Sequence, residues 1–223
     1  MDRELFRSAM LKFFSGLLLM GLLLFLPAGS FRYWQAWLLL GILFVPMFAA
    51  GLVMMRKNPE LLRRRLRMKE EQGEQRQVIA WSGLMFLASF LLAGFNFRFG
   101  WIPLPPWIVY TAAVLFLLAY LLYGEVLREN VWLSRTVEVQ EHQKVIDTGL
   151  YGIVRHPMYA ASILLFLSML LVLGSLPSFA VMLLYLPLIA KRIRNEEAVL
   201  EQGLEGYSAY KKRVRYQVIP GIW

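Results

Sequence analysis

Long apolar runs without a charged side chain dominate the hydropathy pattern of this chain. Five such runs lie between charged residues, at 13–31, 33–55, 77–97, 99–124 and 156–190. The first four contain 19, 23, 21 and 26 residues, and a helix needs about 20 residues to cross the hydrocarbon core of a bilayer. These four runs therefore predict four transmembrane helices.

The fifth run differs from the others in its length and in its interruption. It contains 35 residues, and Gly174, Ser175 and Pro177 stand near its middle. This length is too great for one crossing and short for two full ones, and the three turn-forming residues favour a break. We predict a tight helical hairpin here. The predicted fold class is all-α, a polytopic membrane helix bundle of about five to six transmembrane segments whose last two form this hairpin.

The lysine and arginine residues lie mostly on one side of the predicted segments. Cytoplasmic loops of membrane proteins carry an excess of these residues. If the amino terminus is cytoplasmic and the fifth run crosses twice, 22 of the 24 basic residues lie inside, and only Arg32 and Arg98 lie outside. We therefore predict six segments with both termini in the cytoplasm. A signal peptide is the alternative for the first segment, but its charge-free run is longer than the usual apolar core of such a peptide.

Composition narrows the class of protein further. Hydrophobic residues make up 58% of the 223 residues and charged residues 17%, which leaves too little polar surface for a soluble globular enzyme. The chain has no cysteine, so a disulfide scaffold and a thiolate metal site are excluded. The formal net charge of +9 follows the topology rule, so we expect contacts with membrane lipids and no binding of nucleic acid.

Two of the three predicted cytoplasmic segments lie between membrane helices. In the first, Asn58, Pro59 and Glu60 have the order of a helix start. We expect a short interfacial helix there, whose arginines anchor it to the bilayer or, alternatively, recognise an anionic group. The second segment, 125–155, is mainly polar and long for a connection without a task. It is therefore the place where we expect a soluble ligand to be held.

The third cytoplasmic segment, 191–223, begins as a charged continuation of the last helix. Arg192 and Glu196 are four residues apart and share a helix face, with Glu197 just around it. An arginine and two carboxylates are thus predicted to lie at the cytoplasmic end of the membrane helices. The basic and aromatic tail from Tyr207 onward is typical of an amphipathic interfacial anchor.

The densest group of chemistry-bearing residues is the segment 149–159, Gly-Leu-Tyr-Gly-Ile-Val-Arg-His-Pro-Met-Tyr. Pro157 suits the first position of a helix, which places His156 at the N-cap beside free backbone donors. Arg155 adds a planar fork suited to a carboxylate. The segment predicts an anion site at the membrane surface. A helix cap with a lipid-phosphate contact is the alternative.

Two motifs, in this order, carry a resemblance to a known family. Gly-x-Tyr-x-x-x-Arg-His-Pro-x-Tyr at 149–159 enters a membrane helix, and Arg-x-x-x-Glu-Glu-x-x-Leu at 192–200 and Gly-Tyr-x-x-Tyr at 206–210 follow the hairpin. This pattern resembles the isoprenylcysteine carboxyl methyltransferase family, and phospholipid methyltransferases share much of it. The resemblance covers roughly residues 120–223. The pair of motifs is specific where either alone is weak.

The resemblance implies a membrane enzyme that binds S-adenosylmethionine at the cytoplasmic face and methylates a lipophilic acceptor arriving from the bilayer. Carried onto this chain, it gives a set of cofactor-binding residues: Gln143, Val145, Ile146, Gly149, Tyr151, His156, Pro157, Tyr159 and Glu197. It also gives candidate catalytic residues nearer the substrate: Arg155, Arg192 and Glu196. Many members have a histidine in place of Gln143, but a glutamine amide also donates and accepts hydrogen bonds.

In this interpretation the chain is one integral membrane domain, 1–223. It has N-terminal helices and a basic loop in 1–119 and a methyltransferase-like half in 120–223, whose cytoplasmic segments bind the cofactor. Transfer from an activated sulfonium needs orientation of the acceptor rather than a metal ion, so we expect no metal.

The acceptor implied is the carboxylate of a prenylated cysteine or a related isoprenoid or lipid group. Three alternatives stay open: a phospholipid N-methyltransferase, a sterol-reductase-like enzyme that uses NADPH, and a non-enzymatic membrane scaffold.

Overall fold

The structure is a computed structural model that describes residues 3–66, 73–133 and 139–223. These residues form nine α-helices and one 3₁₀ turn, which lies between α5 and α6 at Gly149–Gly152. The helices are α1 (Arg3–Ala28), α2 (Trp34–Lys57), α3 (Pro59–Leu66), α4 (Gly73–Phe99), α5 (Pro106–Glu129), α6 (Pro157–Val172), α7 (Leu176–Met182), α8 (Tyr185–Gly203) and α9 (Tyr207–Arg213). No strand occurs among the described residues, so the all-α fold class is confirmed.

Within the described part of the chain, five helical segments are long and apolar enough to cross a membrane. They are Arg3–Ala28, Trp34–Lys57, Gln77–Phe99, Pro106–Glu129 and Leu176–Gly203, which joins α7 and α8. Helix α6 is also apolar but has only 16 residues. Helix α6 and the α7–α8 segment form the hairpin expected from the fifth apolar run, and the polytopic helix bundle is confirmed.

The turn of the hairpin is held to two other helices by backbone carbonyls. Gly174 adopts a left-handed conformation with φ of 68°, which a residue with a side chain rarely adopts. The hydroxyl of Tyr33 donates to the carbonyl of Leu173 at 2.6 Å. The amide of Asn96 donates to the carbonyl of Gly174 at 3.4 Å. These contacts attach the hairpin tip to the start of α2 and the end of α4.

Helix boundaries depart from the charge-free runs where proline or charge decides them. Helix α5 begins at Pro106 rather than near residue 99, because the prolines before it end the preceding turn. At its other end it continues through Glu125 and Arg128, which form a bidentate ion pair one turn apart. Helix α3 begins at Pro59, as predicted. Residues 67–72 of the arginine-rich stretch and 134–138 of the second polar segment lie outside the described residues.

Helices from the first and the second half of the chain contact each other in the bundle. Helix α4 packs on α1 and α7, and α6 packs on α5 and α2. Helices α1 and α4 approach each other closely at Gly94. A Cβ atom there would lie 2.8 Å from the carbonyl oxygen of Leu24 and 2.8 Å from Cβ of Pro27 in α1. Small residues permit such close packing between membrane helices.

The close approach at Gly94 predicts that a larger residue there destabilises the protein. A second glycine of the same helix provides the control. Gly94→Ala should destabilise the protein by about 1–3 kcal/mol, because α1 must move to make room. Gly83→Ala, with nothing within 4 Å of its Cβ position, should leave stability unchanged or slightly higher, since alanine favours helix. Thermal unfolding in detergent measures both. Equal melting temperatures for the two variants would contradict this packing.

Candidate functional site

A cavity opens at the charged end of the bundle, where α5 and α8 extend beyond the apolar core. It is lined by side chains from the segments 130–133, 143–146, 151–159, 192–200 and 204–210. The two sequence motifs and the polar segment after α5 therefore meet around one space. Its wall combines charged, aromatic and aliphatic groups, the usual composition of a small-molecule site.

A buried carboxylate lies behind this wall. Glu197 of α8 is 4% exposed, and Arg155 and His156 are 8% and 5% exposed. Nε of Arg155 and Nε2 of His156 donate to Oε1 of Glu197, at 2.8 and 3.1 Å. Nζ of Lys211 lies 3.2 Å from Oε2 of the same carboxylate and 2.8 Å from Oε1 of Glu201. Glu197 is thus paired with basic side chains on both oxygens.

The Arg-His motif is also bonded to the tail of the chain. Nη1 of Arg155 donates to the carbonyls of Val214 and Arg215, both at 2.7 Å. The backbone N–H groups of Arg155 and His156 donate to the carbonyls of residues 216 and 217, at 2.9 and 2.8 Å. His156 is the N-cap of α6 and Pro157 its first residue, as predicted. The tail, expected to be an interfacial anchor, therefore also holds the motif in place.

A second polar group faces the cavity directly. The hydroxyl of Tyr159 donates to Oε2 of Glu196 and accepts from Nε of Arg192 at 3.0 Å. Nδ1 of His156 lies 4.0 Å from Oε1 of Glu196. Arg192 and Glu196 share a helix face, as predicted, and Tyr159 bridges them.

The 3₁₀ turn at the start of the first motif is fixed by a carboxylate from α5. Glu129 accepts from the hydroxyl of Thr148 at 3.0 Å and from the backbone N–H of Leu150 at 3.1 Å. Gly149 lies between these donors with φ of 48°, and a Cβ atom there would lie 2.1 Å from Oε1 of Glu129. Gly149 is therefore required by backbone conformation and by space.

Two hydrogen bonds place the ring of Tyr151 in the cavity wall. Its hydroxyl accepts from the amide of Asn130 at 2.9 Å, and its backbone carbonyl accepts from the hydroxyl of Tyr210 at 2.8 Å. Burial raises the pKa of Tyr151 and of Tyr210 well above the usual tyrosine value. Both hydroxyls therefore keep their protons at physiological pH.

Gln143 lines the cavity from a folded loop in the polar segment after α5. Its side-chain carbonyl accepts from the backbone N–H of Gln140 at 2.9 Å, and its own backbone N–H donates to the carbonyl of Gln140 at 3.1 Å. The side chain of Gln140 in turn donates to the carbonyl of Trp132 at 2.6 Å. The neighbouring His142 points outward, with a side chain 87% exposed.

The structure brings all twelve residues proposed from the sequence into one region. Nine line the cavity: Gln143, Val145, Ile146, Tyr151, Arg155, His156, Tyr159, Arg192 and Glu196. The other three do not line it: Pro157 and Glu197 are buried beside lining residues, and Gly149 is an exposed residue of the 3₁₀ turn that leads to Tyr151. Among the described residues, no cluster of three His, Cys, Asp or Glu side chains could hold a metal ion.

Some residues of the cavity were not among those proposed from the sequence. Asn130, Trp132, Tyr207 and Tyr210 all line it. The two tyrosines belong to the Gly-Tyr-x-x-Tyr motif, and their spacing of three on a helix is the signal that places both rings on one face. Asn130 and Trp132 carry no local signal of this kind, because they reach the cavity only through the chain path after α5.

Comparison with known proteins finds a family that is similar to the second half of the bundle. Residues 108–202 match the isoprenylcysteine carboxyl methyltransferase (ICMT) family. The chain is similar to this family over that segment. The match confirms the resemblance found in the motifs and extends from α5 to the end of α8. The apolar helices support an integral multi-pass membrane protein, and its second half is similar to membrane methyltransferases.

A sterol-modifying protein is also similar. The chain is 29% identical over 91 residues to the delta(14)-sterol reductase of Mus musculus, a stretch that covers 40% of this chain and 22% of that protein. The chain therefore spans about a fifth of the length of this relative.

The ion pairs of Glu197 predict how much stability the protein loses when this side chain is removed. Glu197→Ala should destabilise the protein by about 3–5 kcal/mol, because Arg155 would remain charged and buried without its carboxylate. Glu201→Ala is the matched control, since Glu201 contacts the same lysine but is 39% exposed, and it should cost less than about 1 kcal/mol. Chemical or thermal unfolding in detergent gives both values. Losses of similar size would contradict the structural role of Glu197.

The fit of Gly149 to Glu129 predicts a difference between two glycines with positive φ. Gly149→Ala and Gly221→Ala should share a conformational cost of about 1–2 kcal/mol, because both residues are left-handed. Gly149→Ala should cost about 1–3 kcal/mol more, because its methyl group displaces the Glu129 carboxylate. A Cβ atom at Gly221 meets nothing within 4 Å. Equal melting temperatures would show that Glu129 does not fix this turn.

Proposed function

We propose that this protein is an S-adenosylmethionine-dependent membrane methyltransferase whose acceptor is the carboxylate of a prenylated cysteine or of a related isoprenoid. The observation that carries the proposal is the cavity between the two motifs, at the charged end of an apolar bundle. Its polar side is built from Arg192, Tyr159 and Glu196, and apolar residues of α6 and α8 adjoin it. A site of this kind suits one polar ligand and one lipophilic ligand at once.

The residues of the cavity suit the methyl donor. S-adenosylmethionine carries a sulfonium, an amino-acid group, a ribose and an adenine, so its site needs aromatic faces, a carboxylate and hydrogen-bonding groups. Tyr151, Tyr159 and Tyr207 supply aromatic faces, and Glu196 supplies a carboxylate. The buried hydroxyl of Tyr207 has no hydrogen-bond partner among the described residues. An unpaired group of this kind favours a ligand that completes it.

When bound, S-adenosylmethionine supplies an activated methyl carbon to an oxygen, nitrogen or sulfur nucleophile. The protein's own part is orientation, which can accelerate such a transfer greatly. Tyr159 holds Arg192 and Glu196 in one arrangement, so the charged wall is fixed before a ligand arrives. Arg192 is the group we assign to an anionic acceptor, since a guanidinium binds a carboxylate through two parallel hydrogen bonds.

The other proposed residues act through this wall. Arg155 is bonded to Glu197 and to two tail carbonyls, so we assign it to positioning His156 and the tail. Glu196 is a carboxylate that lines the cavity, so we assign it as the base that an amine acceptor would need for its proton. The phospholipid N-methyltransferase alternative therefore depends on Glu196, and the carboxylate acceptor depends on Arg192. We place the site at the cytoplasmic face, because the basic residues cluster at this end.

The similarity to a sterol reductase supports a second candidate, an enzyme that uses NADPH. The pocket has Arg192 and Lys144 as cationic lining groups, and both could contact a phosphate. Ligand binding separates the two candidates. A ligand that binds the folded state raises its melting temperature, so S-adenosylhomocysteine and NADPH can be compared directly on purified protein.

The proposed function predicts which ligand binds and where the methyl group goes. S-adenosylhomocysteine should raise the melting temperature, and NADPH should not. With labelled S-adenosylmethionine and a prenylated cysteine, label should enter a product that releases it in alkali, as a methyl ester does. Arg192→Gln should lower this transfer about 10- to 100-fold through a higher KM for the acceptor, because a charged hydrogen bond is lost.

The exposed residue Glu201 provides the control. Glu201→Gln should transfer methyl groups as the wild type does, and Arg192→Gln should still bind S-adenosylhomocysteine. Label that is stable in alkali would overturn the carboxylate acceptor in favour of an amine. Stabilisation by NADPH alone would overturn the methyltransferase.

A further inference from the structure

We infer that Tyr207 is a ligand-binding residue whose hydroxyl makes a hydrogen bond to the molecule bound in the cavity. The inference rests on the proposed function for the identity of that molecule. Tyr207 opens α9 and was not among the residues proposed from the sequence. Its position, its burial and its missing partner together carry the inference.

The hydroxyl of Tyr207 is an exception among the tyrosines of the cavity. Tyr159 is bonded to Arg192 and Glu196, Tyr151 to Asn130, and Tyr210 to the carbonyl of Tyr151. Tyr207 is 4% exposed, and its hydroxyl oxygen has no partner among the described residues. A buried hydroxyl without a partner costs about 1–3 kcal/mol of stability. A bound ligand that supplies the partner removes this cost.

The ring of Tyr207 is held firmly, so the hydroxyl has a fixed place. It packs in a small apolar cluster with Leu204, Tyr210 and Val214, against Val145. Its ring centroid lies 5.7 Å from that of Tyr210. Lys211, one turn further along α9, is bonded to Glu197 and Glu201 and holds the helix against α8. Rigid supporting contacts of this kind are what a binding group needs.

The surroundings also fix the protonation state of the hydroxyl. Burial raises the pKa of Tyr207 well above the usual value, and the nearby carboxylates of Glu197 and Glu196 raise it further. The hydroxyl therefore keeps its proton and can donate to an acceptor atom of the ligand. A deprotonated, negatively charged phenolate would instead be repelled by the carboxylates of Glu196 and Glu197.

Tyr207→Phe tests the inference because it should act in opposite directions on the empty and the loaded protein. Without ligand, the variant should melt at the wild-type temperature or higher, since the substitution removes an unpaired buried hydroxyl. With S-adenosylhomocysteine, the dissociation constant should rise about 5- to 10-fold, because one hydrogen bond is lost. Thermal unfolding and a calorimetric titration in detergent measure the two effects.

Tyr210→Phe is the matched control on the next turn of the same helix. Its hydroxyl donates to the carbonyl of Tyr151, so removing it should lower the melting temperature of the protein without ligand. Tyr207→Phe overturns the inference if it lowers that temperature as Tyr210→Phe does. It also overturns the inference if it binds S-adenosylhomocysteine as tightly as the wild type.

A third ligand separates this inference from the proposed function. If the wild type binds NADPH and not S-adenosylhomocysteine, the methyltransferase proposal fails, and a weaker binding of NADPH by Tyr207→Phe still supports the role of Tyr207. If the wild type binds S-adenosylhomocysteine and the variant binds it equally well, the methyltransferase stands and the role of Tyr207 fails. A folded wild type that binds neither ligand overturns both.

Discussion

The ion pair between Arg155 and Glu197 is the constraint on which the rest of the site depends. The two side chains are each 6% exposed, so neither can lose its partner without leaving a charge in a poorly solvated place. Removing one partner of a buried ion pair lowers the free energy of unfolding strongly, because it leaves a buried charge unpaired. Replacing both partners by apolar residues is often neutral. The pair therefore acts mainly as a constraint on geometry. It fixes the entry to α6, one turn of α8, and the tail in a single arrangement.

The two neighbouring glutamates of α8 have different roles as a result of this constraint. Adjacent residues on a helix point about 100° apart, so Glu197 turns inward to Arg155 while Glu196 turns to the cavity and Tyr159. The first carboxylate is fully paired and holds the wall, and the second faces the place where a ligand binds. A similar division applies to the arginines, since Arg155 is bonded to protein on several sides and Arg192 lines the cavity.

The sequence is informative about the parts of this fold that are local. Charge-free runs predict the membrane helices, and Gly174, Ser175 and Pro177 predict the hairpin turn, because length and backbone conformation are properties of one segment. The contacts that close the site are not local. Arg155 lies 42 residues from Glu197 and 59 from Val214, and no periodicity links them. The role of the tail in holding Arg155 could be found only from the folded chain.

The cavity wall is built from two stretches of the chain. The family match ends at residue 202, yet Leu204, Tyr207 and Tyr210 line the cavity, and the carbonyls of 214 and 215 hold Arg155. The wall thus combines residues of the matched segment with residues of the Gly-Tyr-x-x-Tyr motif that follows it. Specificity is a difference of affinities, to which both stretches contribute. A ligand in this cavity would therefore be recognised by α9 as well as by the segment around the Arg-His-Pro motif.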